Sequence, residues 1–137
     1  MEIVYFSHYS GNTKKFVEKL TDSPLRIPIK WDESEPLIVD KPYVLFVPTY
    51  GGGNDSHVVP KQVVKFLNIL DNRQNIKAVV GMGNTNFGEH YCRGADVIAQ
   101  KTGVPVIYRV EITGTLDDVI EVNKRMELLW QTTVTTN

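Results

Sequence analysis

Hydrophobic and polar positions follow each other along this chain in blocks of two kinds. Ile3 to Phe6, Tyr43 to Val47, Ala78 to Met82 and Val104 to Ile112 are short, mostly apolar runs of strand length;. Between and after them, apolar residues recur at the three- and four-residue spacing of one helix face. Phe16, Val17 and Leu20 follow the first run, Val63, Phe66, Leu67 and Leu70 the second, Tyr91, Ala95, Ile98 and Ala99 the third, and Val119, Val122, Met126 and Leu129 the fourth. The run Tyr43 to Val47 shows no alternation, which is the pattern of a central strand covered on both faces;. Leu25, Ile27 and Ile29 alternate with Arg26 and Pro28, so a half-buried edge strand able to carry proline is expected over 25–29;.

Punctuation residues bound these blocks. Asp22-Ser23-Pro24 ends the first helix, and Pro60 suits the start of a second, expected to run about three turns and to close near Asp71-Asn72;. The third helix stops near Gly103, where glycine favours a C-cap;. Thr115-Leu116-Asp117-Asp118 has the form of an N-terminal cap for the last helix, and Thr132 to Asn137 is expected to fray;. The acidic, proline-ended stretch Trp31 to Pro36 reads as a surface loop. Five strands and four helices in alternation predict an α/β fold, a doubly wound five-stranded parallel sheet of order 2-1-3-4-5 with right-handed crossovers;. Ligands of such sheets bind beyond the carboxyl ends of the strands, where the strand order reverses. The loops after Phe6, Val47 and Met82 therefore carry the search for chemistry.

Composition narrows the classes. The 137 residues are read as a single domain spanning 1–137, with no repeat or linker, long enough to bury roughly 70% of the unfolded surface. A net charge of −1 leaves no broad basic face for nucleic acid;. The single cysteine, Cys92, rules out an internal disulfide framework and fits a reducing compartment;. The first residues read as a strand rather than a secretory signal, and no apolar run approaches the roughly 20 residues of a membrane helix. A soluble, cytoplasmic protein is expected.

The first loop, Ser7-His8-Tyr9-Ser10-Gly11-Asn12-Thr13, sets hydroxyls, an amide and a glycine between a strand and a helix. Backbone N–H groups and the helix dipole favour an anion there, and Ser7, Ser10 and Thr13 add hydroxyl donors. The same residues also suit a plain polar helix cap. Gly-x-x-x-x-Gly-Lys-Ser/Thr and Gly-x-Gly-x-x-Gly are both absent, which argues against a P-loop NTPase and an ordinary dinucleotide fold, so a monophosphate is the anion expected;. In the second loop Thr49 and Tyr50 precede Gly51, Gly52 and Gly53, a sequence that lets a backbone approach a flat ligand and supplies an aromatic wall;. The third, Gly83 to Gly88, offers donors and acceptors at Asn84, Thr85 and Asn86 and ring surface at Phe87, while Tyr91 fits the core face of the following helix. Asp55-Ser56-His57 holds the residue types of a hydrolase triad, but no Gly-x-Ser-x-Gly elbow presents the serine;. His8, His57 and His90 lack a ligand cluster for a metal, Cys92 reads as a helix residue, and Trp31 and Trp130 read as packing residues;.

With its phosphate-type turn, glycine loop and polar loop in this order, the chain resembles a flavodoxin, Ser10-Gly11-Asn12-Thr13 matching the phosphate motif. Tyr5-Phe6-Ser7, Asn12-Thr13, Val47-Pro48-Thr49-Tyr50-Gly51-Gly52-Gly53, Val59-Pro60-Lys61-Gln62-Val63, Phe66-Leu67-Asn68, Gly83-Asn84-Thr85-Asn86-Phe87-Gly88 and the stretch from Gly103-Val104-Pro105 to Gly114-Thr115 are together similar to the NrdI family. Its members are small flavodoxin-like activators of class Ib ribonucleotide reductase. The resemblance implies FMN, with its phosphate at Ser7, Ser10, Gly11, Asn12 and Thr13. The flavin ring would lie between Thr49, Tyr50, Gly51, Gly52 and Gly53 on one side and Asn84, Asn86, Phe87 and Gly88 on the other. No catalytic side chain is implied, since the chemistry belongs to the flavin and the peptide planes of Gly51 to Gly53 tune it. The implied partners are an electron-donor reductase, dioxygen, and the small dimanganese subunit, to which an oxidant, superoxide, is passed to generate a tyrosyl radical. A plain electron-carrying flavodoxin and a non-redox binding module on the same sheet are the alternatives. Flavodoxins usually carry a hydroxyl three residues before the motif glycine, where this chain has His8.

Overall fold

In a computed structural model of the chain, which describes residues 1–9, 11–49, 58–83 and 92–135, the apolar runs form the strands β1 Glu2–Tyr5, β3 Tyr43–Pro48, β4 Ile76–Gly83 and β5 Val106–Glu111. The alternating segment contributes β2 Leu25–Arg26. All neighbours pair in parallel, in the order β2-β1-β3-β4-β5 that the pattern predicts. Between the strands lie α1 Asn12–Val17, α2 Lys61–Leu67, α3 Leu70–Asn75 and α4 Arg93–Thr102, and α5 Leu116–Thr135 follows the last.

Side chains of a strand point alternately to opposite faces, and here both faces are buried. Val4, Phe6, Leu45, Val47 and Val79 face one core with Val63 and Phe66 of α2 and Ala95 and Ile98 of α4. Ile3, Tyr5, Val44, Phe46 and Val80 face the other, against Phe16 and Val17 of α1 and Val119 and Val122 of α5. Two helix layers on one sheet explain why the central strands read as unbroken apolar runs.

Several boundaries differ from the sequence reading. The expected edge strand over 25–29 shortens to Leu25–Arg26, although Ile27 still donates its N–H to Tyr5 O at 2.8 Å. Pro28 has no N–H with which to continue the ladder. The expected helix from Pro60 to Asp71-Asn72 is two helices, because Ile69 turns extended at φ −78 and ψ 124. A buried amide holds that break. Asn72 Oδ1 accepts from Val39 N–H at 2.7 Å, while its Nδ2 donates to Leu37 O and to Phe66 O, each at 2.9 Å. Phe66 O is the carbonyl that Leu70 N–H would take in a continuous helix. The break removes Leu70 from the core face, and it is 54% exposed. The capping residues behave as expected: Thr115 N–H donates to Asp118 Oδ2 at 2.8 Å, and Asp118 N–H to Thr115 Oγ1 at 3.2 Å. At the other end α5 continues through Thr135, where fraying was expected from Thr132. Trp31 packs on the first core as expected, but Trp130 is exposed on α5.

Candidate functional site

β1 delivers the chain to the carboxyl edge of the sheet beside β3, with Phe6 N–H on Phe46 O at 3.1 Å. Gly11 then closes the turn by donating its N–H to His8 O at 3.0 Å. It does so at φ 75 and ψ 12, a left-handed conformation open to glycine;. No atom lies within 4 Å of where a Cβ would stand, so the requirement is torsional and not one of space. Ser7 is fully buried, and its Oγ accepts from Lys14 N–H at 3.2 Å while facing His8 O at 3.4 Å. Its hydroxyl thus braces the turn from within. Thr13 is buried as well, whereas Gly11 and Asn12 reach the surface. Among the described residues, the N–H groups of Asn12 and Thr13, at the first positions of α1, have no acceptor within the chain;. His8 and Tyr9 are exposed, their rings edge to face at 5.0 Å. Ser10 lies outside the described residues.

A residue the sequence reading passed over stands behind this turn. Arg26 pairs in register with Tyr5, and its Nη2 donates to Ser7 O at 2.9 Å. Its guanidinium lies 5.8 Å from the centre of the Tyr5 ring, and its Nε is buried without a partner. The arrangement does two things for an anion. It occupies a carbonyl that would otherwise repel negative charge, and it fixes a cation next to the turn. The available signal was the single arginine inside an apolar edge strand, opposite the residue that leads into the turn.

The ends of β3 and β4 are tied to α4. Thr49 donates its N–H to Met82 O at 3.2 Å, and its Oγ1 accepts from Gly94 N–H at 2.8 Å. That bond requires α4 to come very close. A Cβ on Gly94 would stand 3.1 Å from Val58 O and 3.2 Å from Pro48 O, and one on Gly81 of β4 would stand 2.8 Å from Cys92 Cβ. Cys92 is fully buried and precedes α4 in a left-handed conformation at φ 56, so it is a helix-cap residue and not the helix residue expected. Tyr50, Gly51, Gly52, Gly53, Asn84, Thr85, Asn86, Phe87, Gly88 and Tyr91 lie outside the described residues, as do Asp55, Ser56, His57 and His90.

β5 completes the edge. Ile112 donates its N–H to Gly83 O at 2.7 Å, the last described residue before 84–91, and holds φ at 55 to do so. A branched side chain in the left-handed region costs about 1–2 kcal/mol. An open depression of about 540 Å³ follows, lined by Arg109, Glu111, Ile112, Thr113, Thr115 and Asp118 among others. Arg109 forms an ion pair with Asp96 of α4. Tyr108 donates to Asp118 Oδ1 at 2.7 Å, and this bond, with burial, raises the phenol above its ordinary value. Burial opposes ionisation of Asp118, but the bonds from Tyr108 and Thr115 outweigh it and hold the carboxyl below its ordinary value. Among the described residues no three His, Cys, Asp or Glu side chains gather as metal ligands, and no helix is long and apolar enough to cross a membrane.

The geometry is therefore an anion-receptive turn at β1 and two further loops rooted beside it, at the reversal of strand order. Solved structures share this fold. A flavodoxin of Streptococcus pneumoniae TIGR4 superimposes with a TM-score of 0.60 at 21% identity, covering 96% of this chain and 97% of that one. A short-chain flavodoxin associated with a bacterial microcompartment gives 0.57 at 19% identity, covering 96% of each. At such identities the likeness concerns fold alone. Sequence likeness is closer. The chain is 48% identical over 130 residues to protein NrdI of Escherichia coli O139:H28, covering 95% of this chain and 94% of that protein. It is 50% identical over 129 residues to protein NrdI of Klebsiella pneumoniae, covering 94% and 93%. Residues 3–124 match the family model described as NrdI flavodoxin-like, and the chain belongs to that family.

Proposed function

We propose that this protein binds FMN and uses it to reduce dioxygen, supplying the oxidant, superoxide, that assembles the dimanganese–tyrosyl radical cofactor of the class Ib ribonucleotide reductase small subunit. The observation that carries the reading is the turn after β1. Gly11 in its left-handed conformation and the unshared N–H groups of Asn12 and Thr13 form a donor set suited to a phosphate monoester, with Arg26 fixed behind it;. Ser10 would add a hydroxyl, and Ser7 and Thr13 would hold the turn in shape from their buried positions. Family membership implies a flavin, and a phosphate site at this edge favours FMN.

Thr49, Tyr50, Gly51, Gly52 and Gly53 on one side, and Asn84, Asn86, Phe87 and Gly88 on the other, would hold the ring. FMN when bound supplies one-electron transfer to dioxygen, with electrons delivered by a separate reductase. The chain's own part is to anchor the phosphate, to set hydrogen bonds at the ring edge through backbone amides, and to control access of oxygen and of the partner subunit. A single hydrogen bond of about 1 kcal/mol is large enough to move a one-electron potential by tens of millivolts.

The test mixes reduced FMN-loaded protein with oxygen and manganese-loaded small subunit and follows the tyrosyl radical by electron paramagnetic resonance. Radical well above a flavin-free control is expected. Radical no higher than that control overturns the proposal.

A further inference from the structure

Exposed apolar side chains are ordinary when scattered, but on α5 they are aligned. Leu116 is 73% exposed, Ile120 57% and Leu128 58%. The inner face of this helix is already used, since Val119 and Val122 are buried in the second core with Met126 and Leu129 packed against it. On the outer face Leu116, Ile120, Lys124 and Leu128 stand four residues apart and form one row, the kind of ridge that enters a groove when two helices meet;. Asn123 and Glu127, both exposed, run beside it.

The charges of this face are unspent. Among the described residues Lys124 and Glu127 form no ion pair, whereas Arg125 on the flank is held by Glu121 at 2.9 Å and by Ile107 O at 2.6 Å. Asp117 and Asp118 stand in the first turn of α5, and its last turn has no basic residue.

We propose that this face pairs with the same face of a second copy of the chain, antiparallel, about a two-fold axis close to Lys124. Contacts across such an axis are reciprocal, so the row must complement itself when reversed. It does. With Ile120 set against Leu128 of the second copy, Leu128 falls against that copy's Ile120 and Leu116, and Lys124 falls beside its Glu127, each contact occurring twice. The two lysines reach the axis together, and each has that carboxylate to draw it aside. Asp117 then faces the uncharged Trp130 and Gln131. A parallel pair would instead crowd Asp117 and Asp118 of both copies and align the helix dipoles;. The overlap, residues 116–131, is roughly 24 Å long. One helix pair of that length covers less than the roughly 800 Å² per partner of a standard interface, so the dimer is a weak one, with a dissociation constant on the order of 100 μM. Nothing in this inference depends on the cofactor.

Sedimentation velocity from about 10 μM to about 1 mM tests it, and the mean mass is expected to rise from monomer towards dimer over that range. Ile120→Glu and Leu128→Glu are each expected to weaken association about tenfold or more while leaving the denaturation midpoint in place, because both side chains are exposed in the single chain;. Lys124→Glu and Glu127→Lys are each expected to weaken it about fivefold or more, and an equimolar mixture of these two variants to recover it, since each supplies the charge that the other lacks. A chain that stays monomeric to the top of the range overturns the proposal. So does a dimer that Ile120→Glu leaves intact, which places the contact on another face, and so does a mixture that associates no better than its two components.

Discussion

Replacing Gly81 by Ala tests whether the close approach of α4 shapes the candidate site. The added Cβ would stand 2.8 Å from Cys92 Cβ, 3.0 Å from Ala95 Cβ and 3.2 Å from Cys92 Sγ. Unstrained carbon contacts fall at about 3.5–4.0 Å, so the start of α4 must retreat by roughly 1 Å. A retreat of that size carries the Gly94 N–H away from Thr49 Oγ1, now at 2.8 Å, to the limit of a hydrogen bond;. Overpacking costs about 1–3 kcal/mol and the weakened bond about 1 more, giving an expected loss of roughly 2–4 kcal/mol. In urea, with a slope near 2 kcal/mol per molar, the midpoint falls by about 1–2 M. Cys92 supplies the control. At φ 56 glycine fits it without strain, so Cys92→Gly in the Gly81→Ala background removes the two sulfur-side contacts and restores about 1 kcal/mol beyond additivity;. Cys92→Ala keeps the Cβ at 2.8 Å and is expected to restore little. A Gly81→Ala midpoint within about 0.2 M of the unsubstituted protein refutes the reasoning, as does equal rescue by alanine and glycine at 92.

Other outcomes follow from the same contacts. Arg26→Gln is expected to weaken FMN by about 1–2 kcal/mol and riboflavin, which has no phosphate, hardly at all; equal losses in a flavin fluorescence titration count against a cation behind the turn;. Asn72→Ala leaves Val39 N–H and Leu37 O without the partner they have here, removes the shorter bond to Phe66 O, which keeps Ile69 N–H at 3.3 Å, and is expected to cost roughly 3–5 kcal/mol in chemical denaturation;. Because the Asp118 carboxyl is held below its ordinary value in the folded state, its contribution is present above the ordinary carboxylate range and is lost as pH falls through the folded value;. The melting-temperature gap between the protein and Asp118→Asn is therefore expected to narrow as pH falls below the ordinary value of 3.8, and a gap that does not narrow on acidification disproves the assignment;.

The order of the sheet was legible because each central strand is buried on both faces, so its run of apolar residues needs no partner to be recognised. Helix faces were legible for a similar reason, since their period is local. What escaped the sequence reading depends on polar groups meeting across long separations. Asn72 splits one expected helix through bonds to Val39 and Leu37, more than thirty residues earlier, and hydrophobic periodicity carries no trace of them. Arg26 acts through register with Tyr5, a relation fixed only once β2 pairs with β1. Gly81 reads as an ordinary small residue in an apolar strand until α4 is laid against it. The turn from Ser7 to Thr13 was recognisable by composition, yet composition gave no means of seeing that Ser7 faces inward.

These contacts share a location and a logic. Arg26 holds Ser7 O, Thr49 Oγ1 receives Gly94 N–H, and Ile112 N–H reaches Gly83 O at the expense of its own backbone torsion. Each bond fixes the root of one loop at the carboxyl edge, and each comes from an element other than the strand that carries the loop. The roots of these loops are therefore set by the sheet and by α4. On the proposed function, substitutions at the roots are expected to change cofactor affinity and those at Gly51 to Gly53 to change the flavin's potentials.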